Sequence, residues 1–202
     1  MKKIYFISLV IIVLISYSFT IIHKDDDKDR IGVEGPLSFN NTGFNLAWSD
    51  KARDNYYIQE YLPAGEQLES FNQMMTLHVF LIDMSIDDAV QIKLNELDTR
   101  SKTDAVCKGS VAETASSDGK EILLDFLLSE TQKDTPEIVE YNVYRYIPVN
   151  IGDGENGILI YAYTKRAYGK DAEGFLETIN KERRNIVEQM GNTEVPKVKL
   201  PD

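Results

Sequence analysis

Strand patterns joined by short turn signals constrain the fold of this chain more than any other feature. Val106–Thr114 and Glu121–Ser129 flank Ser116-Ser117-Asp118-Gly119, a turn sequence typical of β-hairpins. Glu137–Val149 and Ile158–Arg166 repeat this arrangement around a glycine-rich turn. Consecutive strands joined by hairpin turns pair antiparallel, so the sequence excludes a doubly wound parallel sheet.

Three more strands and two helices complete the predicted order of elements. Phe44–Trp48 alternates apolar and small or polar residues, while Tyr56–Leu62 and Met74–Ile82 are largely apolar. Ser85 can cap a following helix, and Asp171–Met190 carries an apolar stripe that indicates a second helix. We therefore expect an α+β fold with a mostly antiparallel sheet of about six or seven strands, on which the two main helices pack.

Three of these segments resemble sequences found in other proteins. Phe-Asn-Leu-Ala-Trp at 44–48, Tyr-Tyr-Ile-Gln-Glu-Tyr-Leu-Pro-Ala-Gly-Glu at 56–66 and Met-Met-Thr-Leu at 74–77 resemble a pattern in uncharacterised exported bacterial proteins. The element order is similar to the PsbP-like α/β/α sandwich, whose members include extrinsic photosystem subunits and other non-catalytic adaptors. The resemblance implies a PsbP-like sandwich and a non-enzymatic role, and it supplies no site residues.

The N-terminal segment 1–22 predicts export. Two lysines precede an apolar stretch at residues 4–22, and three aspartates follow it at 25–27. This layout is typical of a signal peptide cleaved before Phe19, but the stretch is also near the ~20 residues of a membrane-spanning helix. Both a cleaved signal peptide and a retained N-terminal membrane anchor remain open. In either case we expect the rest of the chain to be periplasmic or otherwise extracytoplasmic, either free or tethered to the membrane.

The remaining chain is expected to hold one domain between two flexible segments. Residues 23–43 combine charges with glycine and proline, which predicts a charged flexible linker. Residues 44–191 form the single α+β domain, and residues 192–202 are expected to be a disordered tail. A net charge of −11 excludes nucleic acid as a partner, since nucleic-acid binding depends on cations that contact phosphates.

Catalytic motifs are scarce. The chain has one cysteine and two histidines, which leaves no set of ligands for a structural zinc site, and no phosphate-binding glycine loop precedes a helix. His78 lies in an apolar strand and Cys107 at the start of another, so both are expected to be structural. We expect no cofactor, no metal and no identified catalytic residue. A carboxylate-dependent hydrolase remains an alternative, because acidic pairs are numerous.

Two charged residues interrupt otherwise apolar strands. Asp125 lies in the 121–129 strand and Arg145 in the 137–149 strand, and an unpaired buried charge at either place would be costly. The hairpin between these strands would place Asp125 and Arg145 about one diagonal apart. We therefore predict that the two charges are electrostatically coupled.

Four tyrosines are the candidate binding residues. Tyr144 and Tyr146 share one face of their strand, Tyr161 and Tyr163 share a face of the next, and the cations Arg145 and Lys165 lie beside them. Tyrosine and arginine are enriched at binding hot spots, but cross-strand packing explains the same pattern. Exposure of at least two rings on one face would favour binding.

The sequence thus predicts a non-catalytic exported binding or adaptor domain of the bacterial cell envelope, whose partner is an envelope protein or another envelope component. It would contact the membrane only through residues 4–22, and a purely structural subunit of an envelope assembly is a further alternative.

Overall fold

A computed structural model of the chain describes residues 27–200, except 117–118, 133–134 and 152–154. The described part forms one eight-stranded sheet of order β1-β2-β3-β4-β8-β7-β6-β5, in which every neighbouring pair is antiparallel. The elements in chain order are β1 (Leu37–Phe39), β2 (Thr42–Arg53), β3 (Tyr56–Pro63), β4 (Gln73–Phe80), α1 (Ile86–Ser101), β5 (Lys108–Ser116), β6 (Gly119–Gln132), β7 (Thr135–Ile151), β8 (Glu155–Tyr168) and α2 (Ala172–Asn192).

The sheet is strongly curled, which makes it an open half-barrel. The ring of Phe39 on β1 lies 4.6 Å from the ring of Tyr163 on β8, although three strands separate β1 from β8 in the sheet. In a flat sheet the same two strands would be about 19 Å apart, at ~4.8 Å per strand step. The face that carries Phe39 and Tyr163 is therefore the concave face, and the opposite face is the convex face.

The fold class predicted from the sequence is right in part. The α+β content and the antiparallel pairing of the sheet are confirmed. The count of six or seven strands and the PsbP-like sandwich are wrong, because the protein has an eight-stranded curled half-barrel. The additional strand is β1, which has three residues and is too short to show an alternating pattern.

Residues 23–43 were expected to form a flexible linker, but the described residues from Asp29 onward belong to the fold. The Asp29 carboxylate accepts hydrogen bonds from the backbone N–H groups of Ile31 and Val33, both at 3.0 Å. Ile31, Val33 and the two apolar residues of β1 are buried in the concave core. Local charge and glycine content predicted an extended chain and did not reveal that these few apolar side chains fill the curl.

The residues after α2 also pack on the domain. The backbone N–H of Lys199 donates a 2.8 Å hydrogen bond to the carbonyl oxygen of Ile31, and Val195, Val198 and Leu200 pack against the concave core. The tail expected over 192–202 is thus ordered through Leu200. Two prolines among charges predict fraying, whereas these three apolar residues hold the segment in place.

The two helices cover opposite faces of the sheet. The Ser85 hydroxyl caps α1 by accepting a 3.1 Å hydrogen bond from the Asp88 N–H, and Ile86, Val90 and Leu97 pack on the convex face. The α2 helix buries Ile179, Ile186 and Met190 on the concave face. This arrangement leaves the last turns of α2 beside the β1–β2 turn.

The predicted export segment lies outside the described residues. Among residues 27–200, with the gaps given above, no helix is both long and apolar enough to cross a membrane.

Candidate functional site

The four candidate tyrosines lie on opposite faces of the sheet. Tyr144 and Tyr146 pack on the convex face beneath α1, while Tyr161 and Tyr163 belong to the concave core. Their exposed fractions are 9%, 2%, 1% and 0%. Because none presents a ring to solvent, the four residues form core packing, and we propose no binding surface on them.

The two cations predicted to lie beside the tyrosines fasten α2 to the sheet. Arg145 pairs through Nε with Glu121 at 2.5 Å, and its Nη1 donates to the carbonyl oxygens of Met190 and Thr193 at 2.9 and 2.8 Å. Lys165 forms a 2.9 Å ion pair with Glu182 on α2. Both cations are occupied within the domain.

Asp125 and Arg145 are one diagonal apart, as the hairpin predicted, because Asp125 is opposite Val143 and Arg145 is opposite Leu123. Each nevertheless has its own partner. The Asp125 carboxylate pairs with Arg183 on α2 and accepts a 3.1 Å hydrogen bond from the Tyr141 hydroxyl. Sequence periodicity within the strands could not show that α2 supplies a second arginine.

His78 and Cys107 have separate structural partners. His78 is buried, its Nδ1 lies 2.9 Å from the Tyr56 hydroxyl, and burial, followed by the nearby Lys93, lowers its pKa to about 3. The Cys107 thiol donates a 3.4 Å hydrogen bond to the carbonyl oxygen of Leu97, and burial raises its pKa. A neutral buried imidazole and a protonated buried thiol fit the packing roles predicted for them.

Two carboxylates, Glu130 and Glu140, line a small cavity next to Arg100, with a volume of about 10 Å³. Burial, followed by the charge of Glu140, raises the pKa of Glu130. Such a volume holds at most about one water molecule, since a water needs roughly 10–15 Å³. The pair therefore lacks room for a substrate, and Arg166 already forms an ion pair with Glu140.

A larger cleft of about 400 Å³ opens between the β1–β2 turn and the last turns of α2. Small-molecule sites have volumes of about 300–1,000 Å³, so the cleft is large enough for a ligand. Carboxamide side chains dominate its lining: Asn40, Asn41, Asn185, Gln189 and Asn192. The other lining residues are Ser38, Phe39, Glu188 and Thr193.

The β1–β2 turn fixes one wall of this amide cleft. Phe39 is opposite Thr42, so only Asn40 and Asn41 connect the two strands. Their φ angles are 48° and 61°, which is the left-handed conformation that a type I′ hairpin turn requires at both positions. Asparagine tolerates this conformation better than most residues, and its short side chain stays available for contacts.

The last turns of α2 form the other wall. Asn185, Gln189 and Asn192 are spaced i, i+4 and i+7, so the helix presents them on one face. The carbonyl oxygens of Met190 and Thr193 accept hydrogen bonds from Arg145, which holds this end of the helix on the sheet. The wall is therefore anchored from beneath by a charged strand residue.

Among the described residues that line the amide cleft, Gln189 has a polar side-chain atom without a hydrogen-bond partner. The side-chain Oε1 of Gln189 is buried and accepts no hydrogen bond. Leaving a buried acceptor unpaired costs about 1–3 kcal/mol, so native proteins rarely do so without a reason. Because the atom itself is buried, it is not open to the cleft, and a ligand there would contact it only if the side chain turned.

Sequence reasoning missed the amide cleft because its residues come from two distant segments. Two signals were present. Two adjacent asparagines separate Phe39 from Thr42, and three carboxamides recur at helical spacing near the end of α2. Only the curl of the sheet brings the β1–β2 turn close to the end of α2.

Among the residues that the structure describes, no three His, Cys, Asp or Glu side chains are grouped so that they could hold a metal ion. No curated protein matches the chain. The model of an uncharacterised protein family matches residues 31–195, a range that includes both walls of the amide cleft. The chain therefore belongs to this uncharacterised family.

Proposed function

We propose that the protein is a non-catalytic, exported binding domain of the cell envelope, and that the amide cleft takes an uncharged polar envelope component. The observation that carries this proposal is the cleft itself, about 400 Å³ in volume and lined mainly by carboxamides. Carboxamides donate and accept hydrogen bonds without changing charge, which suits recognition more than proton transfer.

The ion pairs of the domain support a binding role over a catalytic one. Arg145 pairs with Glu121, Arg166 with Glu140 and Arg183 with Asp125, and each of these arginines joins two elements of the fold. Catalytic acids and bases need groups that are free to exchange protons with a substrate. These paired charges instead hold the elements of the fold together, and Arg145 also contacts the carbonyl oxygen of Thr193, which lines the cleft.

Export is the second part of the proposal, and it rests on the two lysines and the apolar residues 4–22. A reporter enzyme that is active only outside the cytoplasm, fused after Asp202, should be active in cells. An inactive but intact fusion would contradict export. Mass spectrometry of the mature chain then distinguishes a start at Phe19 from a retained anchor.

Binding at the cleft can be tested by photo-crosslinking in cells that produce the full chain. A photoreactive residue in place of Glu188, at the edge of the cleft, should give a crosslinked envelope species. The same residue in place of Glu177, which is exposed on α2 about three turns away from position 188, is the matched control. Adding Asn185→Ala should reduce crosslinking from position 188. Equal crosslinking from both positions, or none from position 188, would contradict a binding role for the cleft.

A further inference from the structure

We infer that the amide cleft binds a neutral oligosaccharide, an inference that rests on the proposed binding function. A sugar hydroxyl both donates and accepts hydrogen bonds, and neighbouring hydroxyls present such groups side by side. A carboxamide matches this pattern, because its oxygen accepts while its NH₂ group donates. The cleft offers five carboxamides on two facing walls.

The charges of the cleft exclude other classes of ligand. Among the described residues that line it there is no lysine or arginine, and Glu188 adds a negative charge, so these residues offer an anion such as a phosphate no cation to bind. The protein as a whole carries a net charge of −11, which disfavours anions further. A metal ion would find a single carboxylate there, and a mostly polar lining offers little to an apolar ligand.

The geometry of the cleft favours a saccharide over a peptide. An extended peptide presents one donor and one acceptor per residue and is usually bound along an open strand edge. Ser38 and Phe39 of the edge strand β1 also line the cleft, but β1 has only three residues, and side-chain amides from a tight turn and a helix face make up most of the lining. Separate amide groups on two walls suit a compact ring with hydroxyls around its edge.

The two walls of the cleft are held in place before a ligand binds. The turn residues Asn40 and Asn41 are held in the left-handed conformation, and Arg145 holds the end of α2. Fixed walls reduce the entropy lost on binding, which matters for a ligand that gains mainly hydrogen bonds.

NMR titration of the full chain with tri-N-acetylchitotriose, and separately with maltotriose, tests the inference. We expect at least one trisaccharide to shift the backbone amide signals of residues 38–41 and 185–193. Asn185→Ala should weaken binding about fivefold, the effect of losing one hydrogen bond of about 1 kcal/mol. Asn41→Gly should act similarly, because glycine keeps the turn conformation and removes only the carboxamide. Glu177→Ala, the matched control on α2, should leave the dissociation constant unchanged.

Two results would overturn the inference. One is the absence of shifts at the cleft with either sugar at millimolar concentration. The other is equal binding of a neutral blocked tripeptide such as acetyl-trialanine-amide. If position 188 still crosslinks an envelope species and Asn185→Ala reduces that product, the proposed binding function stands while the saccharide assignment fails. If the crosslinking and the titration both fail, the proposed binding function and the saccharide assignment are both wrong.

Discussion

Arg145 on β7 donates a 2.9 Å hydrogen bond to the carbonyl oxygen of Met190 in the last turn of α2. A buried strand cation thus satisfies helix carbonyls that have no partner within the helix. The sequence predicts this helix over Asp171–Met190, and α2 extends two residues further, to Asn192. A Cβ atom at Gly191 would lie 3.3 Å from Leu123, so glycine there permits close packing of the helix on the sheet.

Arg145→Met should lower the free energy of unfolding by about 3 kcal/mol, because it leaves Glu121 buried without its partner. Lys165→Met is the matched control, since its ion pair with Glu182 is partly exposed and should contribute less than about 1 kcal/mol. Urea unfolding of both variants measures the difference. Equal effects of the two substitutions would show that Arg145 does not anchor the helix.

A double-mutant cycle separates the two acidic neighbours of Arg145. The coupling predicted from the sequence between Asp125 and Arg145 stays a prediction, with an expected value above ~0.5 kcal/mol. We expect the coupling of Glu121→Gln with Arg145→Met to be larger than that of Asp125→Asn with Arg145→Met, because Glu121 contacts Arg145 directly and Asp125 pairs with Arg183. A larger coupling with Asp125 would contradict the pairing in the structure.

The strands and helices that have a regular hydrophobic pattern could be predicted from the sequence. Hairpin turn signals predicted the pairing of β5 with β6 and of β7 with β8, and the hairpin expected between β6 and β7 predicted that Asp125 and Arg145 lie diagonally. The curl was beyond such reasoning, because it depends on Phe39, from a three-residue strand, reaching Tyr163 across the sheet. The amide cleft depends on this curl, and so it could not be predicted either.

Glu60 on β3 should make stability fall between about pH 4.5 and 7. Burial raises the pKa of its carboxyl group from 4.5 to about 7, while Arg166 opposes the shift. Between these values the folded protein retains a proton that the unfolded chain releases, so rising pH favours unfolding. Glu60→Gln should therefore be more stable than the natural protein above pH 7, by about 3 kcal/mol, and nearly equal to it below pH 4.5.

Chemical unfolding at pH 4 and pH 8 measures the effect of Glu60→Gln. The matched control is Glu177→Gln at an exposed position of α2, which should not change the difference between the two pH values. A constant stability difference between Glu60→Gln and the natural protein over this range would show that Glu60 has the same pKa in the folded and the unfolded protein.

Cys107 should react slowly with an alkylating reagent in the native protein and rapidly after denaturation. Burial raises the pKa of its thiol, and the thiolate is the reactive species. The thiol also donates to the carbonyl oxygen of Leu97. Mass spectrometry after timed labelling gives both rates. Equal rates in native and denatured protein would contradict a buried, protonated thiol.

His78 should stay neutral in the folded protein well below the pH at which a free histidine titrates. Burial, followed by the charge of Lys93, lowers its pKa from 6.5 to about 3, so the unfolded chain binds a proton that the folded protein does not. This contribution to stability is complete above pH 6.5 and is lost as the pH falls toward 3. His78→Gln retains a polar group near the Tyr56 hydroxyl but has no titration, so its stability should fall less between pH 7 and 5 than that of the natural protein. The imidazole NMR signals of His78 should be constant over the same range, and a midpoint near 6.5 would contradict the buried, neutral state.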